Sequence, residues 1–80
     1  MPVQQSDVIS AIHGIRSTDF DIGPQTTFED AGLDSIGIIQ FVMHLEVDCG
    51  IEVPDGVFSR WTCETTVQDV CDDLARVFPS

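Results

Sequence analysis

A serine at the predicted start of a helix is the residue of this sequence best placed to take part in chemistry. Ser35 follows Asp34, and residues 35–49 contain no proline and are mostly apolar. Asp34 is a good N-cap, because its carboxylate can accept hydrogen bonds from the first backbone N–H groups of a helix. These N–H groups and the helix dipole favour an anion. The pattern therefore predicts that a phosphate carried on the Ser35 hydroxyl would be stabilised.

The same serine is a poor candidate for a hydrolytic nucleophile. The G-x-S-x-G pattern requires a glycine two residues before the serine, whereas Gly32 lies three residues before it. His44 follows nine residues later, about 13 Å along a helix axis, which is too far for a general base. We therefore expect no catalytic residues. On these residues alone, a capped helix start with no further role remains the alternative.

Metal binding is not predicted. His13 and His44 fall at no recognisable ligand spacing. The acidic loop around Asp19 and Asp21 has a faint likeness to a calcium loop, but its glycine is misplaced, and a proline, Pro24, occupies the turn position. A solvated loop is the better interpretation.

The three cysteines are Cys49, Cys63 and Cys71, and no two of them form a C-x-x-C pair. No signal peptide or long apolar run precedes them. Scattered, unpaired cysteines are typical of a reducing cytoplasm, so we expect a cytoplasmic protein with partly buried, inert thiols.

Ser35 would be positioned by an all-α domain. Apolar residues at helical spacing predict a first helix over 4–15, and the second helix runs from Ser35 to a stop at Gly50. Residues 57–61 could form one short helical turn. Thr65 is the predicted N-cap of the last helix, with Gln68 completing a capping box. We therefore expect one domain over 1–80, a four-helix bundle of three main helices and a short one.

A long loop over residues 16–33 joins the first two helices. Loops of this length in compact domains are usually functional or anchored to the core. Its apolar members, which we expect to pin it to the core, are Phe20, Ile22, Phe28 and Leu33.

The second helix has more apolar surface than one core requires. One predicted stripe consists of Ile38, Phe41, Val42, Leu45 and Cys49. A second stripe consists of Ile36, Ile39, Met43 and Val47. A helix in a domain of this size needs only one such stripe. The second stripe is either an exposed docking strip for partner proteins or the sign of a helix buried on both sides.

The composition restricts the class of partner. The net charge is −11, from fourteen acidic and three basic residues, with no lysine. Such a charge repels nucleic acid and anionic lipid, so neither nucleic-acid binding nor membrane insertion is expected. It attracts basic surfaces on other proteins. The apolar fraction of 42% is that of a folded domain.

The sequence GLDSI at residues 32–36, followed by Leu45-Glu46, resembles the signature of acyl and peptidyl carrier proteins. The likeness runs from about Val8 to Phe78. The pattern of Val53-Pro54 and Arg60 is similar to that of D-alanyl carrier proteins and discrete aminoacyl carriers. Two features depart from the resemblance. Trp61 lies nearer to Arg60 than in the D-alanyl carriers, and the second helix has Gln40 and Val47 where many fatty-acid carriers have acidic residues.

The resemblance implies a four-helix carrier whose serine, here Ser35, receives 4′-phosphopantetheine from coenzyme A, with Asp34 positioning it. It implies that a strip of the second helix faces partner enzymes; the matching residues are Ile36, Ile39, Met43 and Glu46. Val47 is added to this partner-binding set from the second apolar stripe, not from the resemblance. The carrier itself is no enzyme. It would be a monomer that presents an acyl or aminoacyl thioester to others.

The partners implied are a phosphopantetheinyl transferase, an adenylating or acyl-loading ligase, and downstream acyl-transferring or condensing enzymes. The setting that fits is natural-product biosynthesis of polyketides or nonribosomal peptides. The alternatives are a D-alanyl carrier for cell-wall modification and an unmodified helical adaptor that binds a basic partner.

Overall fold

The computed structural model describes residues 3–78 and contains four helices. They are α1 (Gln5–His13), α2 (Ser35–Cys49), α3 (Asp55–Phe58) and α4 (Val67–Val77). Helix α1 packs against both α2 and α4. The described part of the chain has no strand, only one isolated bridge between Thr27 and Thr66. The all-α architecture of three main helices and one short helix is therefore confirmed.

Helix α2 has the bounds that its end signals predict. It begins at Ser35 after the N-cap Asp34 and ends at Cys49 before the C-cap Gly50. Four of its apolar side chains are buried, and they recur at spacings of three and four residues: Ile38, Phe41, Val42 and Leu45. This periodicity is the one that a helix with one face on a core requires.

The bounds of the other three helices differ from the prediction. Helix α1 spans Gln5–His13 and is shorter at both ends than the predicted 4–15. The short helix begins at Asp55 after Pro54, so the predicted turn over 57–61 was set too far along the chain. Pro54 is the N-cap of this helix and has an extended conformation, with ψ 143°; because the chain enters the helix here, the missing N–H of the proline breaks no intrahelical hydrogen bond.

The N-cap of α4 is Thr66, not Thr65, so the predicted capping box was wrong by one residue. The Thr66 hydroxyl accepts a hydrogen bond from the Asp69 N–H, and the Asp69 carboxylate accepts one from the Thr66 N–H, both at 3.1 Å. The Thr65 hydroxyl instead accepts from the Thr62 N–H at 2.9 Å. Two adjacent threonines are both competent caps, and Asp69 favours the second one.

The long loop is anchored to the core through three of its four predicted residues. Ile22, Phe28 and Leu33 are buried, whereas Phe20 is 47% exposed, and the prediction for Phe20 was wrong. The Thr18 hydroxyl donates to the Phe20 carbonyl at 2.7 Å, in a bend that leaves the ring at the surface. The loop is therefore anchored without Phe20, through Ile22, Phe28 and Leu33.

Backbone hydrogen bonds also join the loop to the segment before α4. The N–H of Glu29 donates to the Cys63 carbonyl at 2.9 Å, and the N–H of Val67 donates to the Thr26 carbonyl at 3.0 Å. The N–H of Gln68 reaches the Pro24 carbonyl at 2.9 Å. The residues that lead into Ser35 are therefore held against the start of α4.

An aromatic cluster lies in the core between α2 and the segment before α4. The Phe28 and Phe41 ring centroids are 5.1 Å apart, and Trp61 lies 6.5 Å from the first and 6.1 Å from the second. The indole N–H of Trp61 donates to the Asp73 carboxylate at 2.9 Å. A buried indole normally finds such a partner, and here it ties the cluster to α4.

No helix within residues 3–78 combines the length and the apolar character needed to cross a membrane.

Candidate functional site

Ser35 is the first residue of α2 and its side chain is exposed. The carboxylate of Asp34 accepts a hydrogen bond from the Gly37 N–H at 2.8 Å, as an N-cap residue does. The cap fixes the turn in which Ser35 sits. None of the side-chain hydrogen bonds within residues 3–78 uses the Ser35 hydroxyl, so this oxygen is available to react.

Two glycines allow the loop to reach α2 in this way. Gly32 has φ +83°, in the left-handed region that other residues adopt at a cost. A Cβ on Gly37 would lie 3.2 Å from the Leu33 side chain and 3.4 Å from the Asp34 carboxylate. The close approach of Leu33 to the first turn of α2 therefore depends on the missing side chain of Gly37.

The residues around Ser35 fit a phosphodiester on its oxygen. The first N–H groups of a helix have no intrahelical partner, and Asp34 takes only that of Gly37. The N–H groups of Ser35 and Ile36 belong to the same first turn, whose dipole favours negative charge. The exposed hydroxyl has room for a bulky substituent. A phosphopantetheine arm is compatible with this position.

A cleft of about 520 Å³ opens beside Ser35. Ile38 and Trp61, both buried, form its apolar floor, and Thr62 and Cys63 form one side. This cleft and the place of Trp61 were not foreseen from the sequence. One signal in the sequence could have indicated the burial of Trp61. It is the single tryptophan, in a segment otherwise poor in core residues, and so large an apolar side chain usually buries most of its surface.

The second stripe of α2 is exposed along its whole length. Ile36 is 66% exposed, Ile39 52%, Met43 59% and Val47 82%. These four residues are the α2 strip. Burial of the helix on both sides, the competing interpretation, is thereby wrong, because the long loop and α3 leave this face uncovered. Exposed large apolar side chains in a row are typical of an interaction surface.

Glu46 differs from the other residues expected to face partners. Its carboxylate accepts a hydrogen bond from the Val53 N–H at 2.8 Å, and the side chain is half-buried. Glu46 thus holds the α2–α3 connection. A contact between Glu46 and a partner stays a prediction. Because the carboxylate already accepts the Val53 N–H, a partner could use only its remaining acceptor positions.

The two histidines lie away from Ser35. His44 packs on the end of α1, where its Nδ1 would be 3.1 Å from a Cβ on Gly14, and His13 is exposed in the last turn of α1. In the described residues no three His, Cys, Asp or Glu side chains are placed to hold a metal ion. The Asp30 carboxylate of the acidic loop is engaged with the Thr27 N–H at 3.3 Å.

The cysteines divide into two kinds. Cys49 and Cys71 are half-buried, and burial, helped by the nearby Asp7 carboxylate, raises the pKa of each thiol. Cys63 is exposed and lies beside the cleft, so the expectation of a partly buried thiol was wrong there. Its backbone carbonyl accepts a hydrogen bond from the Glu29 N–H at 2.9 Å.

Comparison with known proteins identifies the class. Residues 7–74 match the family model described as a phosphopantetheine attachment site. This match spans most of the chain and includes the whole of α2. The chain therefore belongs to the phosphopantetheine-binding carrier family, whose members bear 4′-phosphopantetheine and are not themselves catalysts.

A curated relative is the acyl carrier protein of Thermosynechococcus vestitus. It is 28% identical over 76 residues, which cover 88% of this chain and 90% of the relative. No solved structure matched the chain. The sequence resemblance to acyl and peptidyl carriers is thus confirmed at the level of the family.

Proposed function

We propose that Ser35 is the residue to which the phosphopantetheine arm is attached, and that residues 1–80 form a single carrier domain. The observation that supports this is an exposed, unbonded hydroxyl on the first residue of a capped helix, inside the span that matches the family. The arm ends in a thiol, which supplies the thioester bond to an acyl or aminoacyl cargo. Asp34 acts as a positioning residue by fixing the turn.

The attachment step uses coenzyme A as the donor. The Ser35 Oγ forms a bond to the phosphorus that bears the pantetheine, and the phosphoanhydride bond of coenzyme A breaks. Adenosine 3′,5′-bisphosphate leaves, and the hydroxyl proton passes to the transferase. The N–H groups of the first turn of α2 then stabilise the phosphodiester anion.

The α2 strip, together with Glu46, is proposed as the surface that partner enzymes contact. Its four apolar side chains begin one residue after Ser35. An enzyme that acts on the arm must approach this end of α2, so it meets the strip at the same time. A contact surface of so few side chains is small, and small interfaces are typical of transient complexes.

The partners proposed are a phosphopantetheinyl transferase, an adenylating or acyl-loading ligase and downstream acyl-transferring or condensing enzymes. The net charge of −11 favours partners with basic surfaces. Polyketide or nonribosomal peptide biosynthesis in the cytoplasm is the proposed setting, and the unpaired cysteines agree with a reducing compartment. A D-alanyl carrier remains the alternative within the same chemistry.

Intact mass after incubation with coenzyme A and a broad-specificity phosphopantetheinyl transferase tests the attachment site. We expect the wild type to gain one arm and Ser35→Ala to gain none. Ser10→Ala is the matched control, because Ser10 is also an exposed helical serine, and this variant should be modified like the wild type. An arm on Ser35→Ala would contradict the proposal by showing that another residue is the attachment site. An unmodified wild type, beside a carrier that the enzyme does modify, would contradict it and favour an unmodified adaptor.

The cargo can be identified by screening the modified protein against adenylating enzymes with different acids. A thioester formed with an amino acid would indicate an aminoacyl carrier, and one formed with D-alanine alone would favour cell-wall modification.

A further inference from the structure

The cleft beside Ser35 has an apolar floor made of two buried side chains, Ile38 and Trp61. Trp61 is only 6% exposed, yet it lines the cleft together with Ile38. Beneath the indole lie Phe28 and Phe41, both essentially without solvent exposure. The core directly below the attachment residue is therefore occupied by aromatic rings.

Trp61 is also fixed in place. Its indole N–H donates to the Asp73 carboxylate at 2.9 Å, and its ring centroid lies within 6.5 Å of those of Phe28 and Phe41. Protein interiors are close-packed and lose stability when a chain or group is forced into them. For a long alkyl chain to enter here, the indole would have to give up its hydrogen bond and both ring contacts.

We propose that Trp61 excludes cargo from the core, so that the arm and a short cargo lie in the open cleft above the indole. The inference rests on the proposed attachment at Ser35 and adds a specificity-determining residue to it. The cleft volume of about 520 Å³ lies within the range, roughly 300–1,000 Å³, of clefts that hold small ligands. An alkyl cargo that outgrows the cleft projects into solvent or into a partner enzyme and gains no further contact with the carrier.

Trp61 provides its own readout, because the protein has one tryptophan and no tyrosine. The wild type can be loaded by the transferase from coenzyme A and from straight-chain acyl-coenzyme A donors of increasing length, from acetyl to dodecanoyl. Intact mass first verifies one arm on each sample. The tryptophan emission and the melting temperature are then compared across the series.

We expect the emission to change when the apo-protein receives the arm or an acetyl-bearing arm. Beyond a butyryl cargo, neither the emission nor the melting temperature should change further. In Trp61→Ala the core is opened, so octanoyl and dodecanoyl cargo should raise the melting temperature of this variant by roughly 4–8 °C above its acetyl form. Trp61→Leu serves the same purpose if the alanine variant does not fold.

Ile12→Ala is the matched control, since it truncates a buried core residue on α1 that does not line the cleft. Its melting temperature should be lowered and should not recover with longer cargo. A wild-type melting temperature that rises steadily up to dodecanoyl would overturn the inference, as would an emission that never responds to the arm. Absence of any mass gain would instead overturn the attachment at Ser35 itself.

Discussion

At the residue scale, the position of Ser35 depends on one carboxylate and two glycines. Asp34 holds the first turn of α2 through the Gly37 N–H. Gly32 supplies a backbone conformation that only glycine adopts readily, and Gly37 supplies the space that Leu33 needs. Together, these three residues determine the geometry of the turn that carries the Ser35 hydroxyl.

Replacing Asp34 by alanine removes the cap. We expect the free energy of unfolding to fall by about 1 kcal/mol, because the Gly37 N–H loses its partner. Phosphopantetheine transfer should also slow. Urea denaturation and the rate of mass gain measure the two effects. Asp34→Asn keeps an acceptor oxygen, so it should retain most of the stability; equal losses in both variants would argue against the cap.

Replacing Gly32 by alanine should cost about 1–2 kcal/mol, the usual penalty for an L-residue in the left-handed region. Gly23→Ala is the matched control in the same loop, because nothing lies within 4 Å of the added Cβ and its φ is not positive. Thermal denaturation should show a lower melting temperature for the first variant only. Similar values for both would contradict the role of the Gly32 backbone.

The thiols should differ in reactivity. Cys63 is exposed, whereas burial and the Asp7 carboxylate raise the pKa of Cys49 and Cys71. Alkylation near pH 8 should therefore modify Cys63 first, as peptide mapping would show. The unfolded thiols ionise before the folded ones, so the free energy of unfolding should decrease as the pH rises above about 9, their ordinary pKa. Faster labelling of Cys71 in folded protein would contradict this order.

At the element scale, α2 combines a buried face with an exposed one. Val42 and Met43 are neighbours in sequence, but Val42 is buried in the core and Met43 belongs to the α2 strip. A polar substitution at Val42 should therefore affect stability, whereas one at Met43 should affect only the reactions with partner enzymes. Comparing the two variants distinguishes a docking role from a structural one.

Met43→Glu should leave the circular dichroism spectrum and melting temperature close to wild type, since the side chain is already exposed. It should lower the rate of phosphopantetheine transfer or of loading by a partner, because a charge replaces an apolar contact. Val42→Glu is the contrasting variant and should unfold the domain, because it buries an unpaired charge. If Met43→Glu unfolds the protein, the strip is part of the core.

The sequence allowed α2 to be predicted from end to end, because Asp34 and Gly50 mark its ends locally. The start of α4 was missed by one residue, since the choice between two adjacent threonines is made by Asp69. The exposure of Phe20 and the burial of Trp61 beside Ser35 depend on contacts between distant parts of the chain. Local patterns do not encode such contacts.

At the scale of the whole molecule, the acidic charge has few internal partners. Within residues 3–78, the one ion pair joins Arg76 to Asp73 at 3.4 Å, and Arg76 is largely exposed. Within these residues, no acidic side chain other than Asp73 is paired with a basic one, so the negative charge of the protein acts mainly on its surroundings. Such a field accelerates encounters with basic surfaces and is screened by salt.

The association rate with a basic phosphopantetheinyl transferase should fall by about tenfold or more as salt is raised from low to high ionic strength. Stopped-flow measurements across a salt series would show it. Glu64→Gln removes an exposed charge outside the α2 strip. At low salt this variant should associate slightly more slowly than the wild type, and at high salt the two association rates should be equal. A rate independent of salt would show that contacts of the strip alone govern the encounter.

The hydrogen bonds between residues 24–29 and 63–68 also bear on when the serine becomes modifiable. During synthesis, Ser35 leaves the ribosome well before Cys63 and Val67, so the loop that leads to it has no partners at first. Contacts between such distant segments are slow to form. We expect the transferase to act efficiently only after residue 68 has left the ribosome, which links arm attachment to completion of the fold.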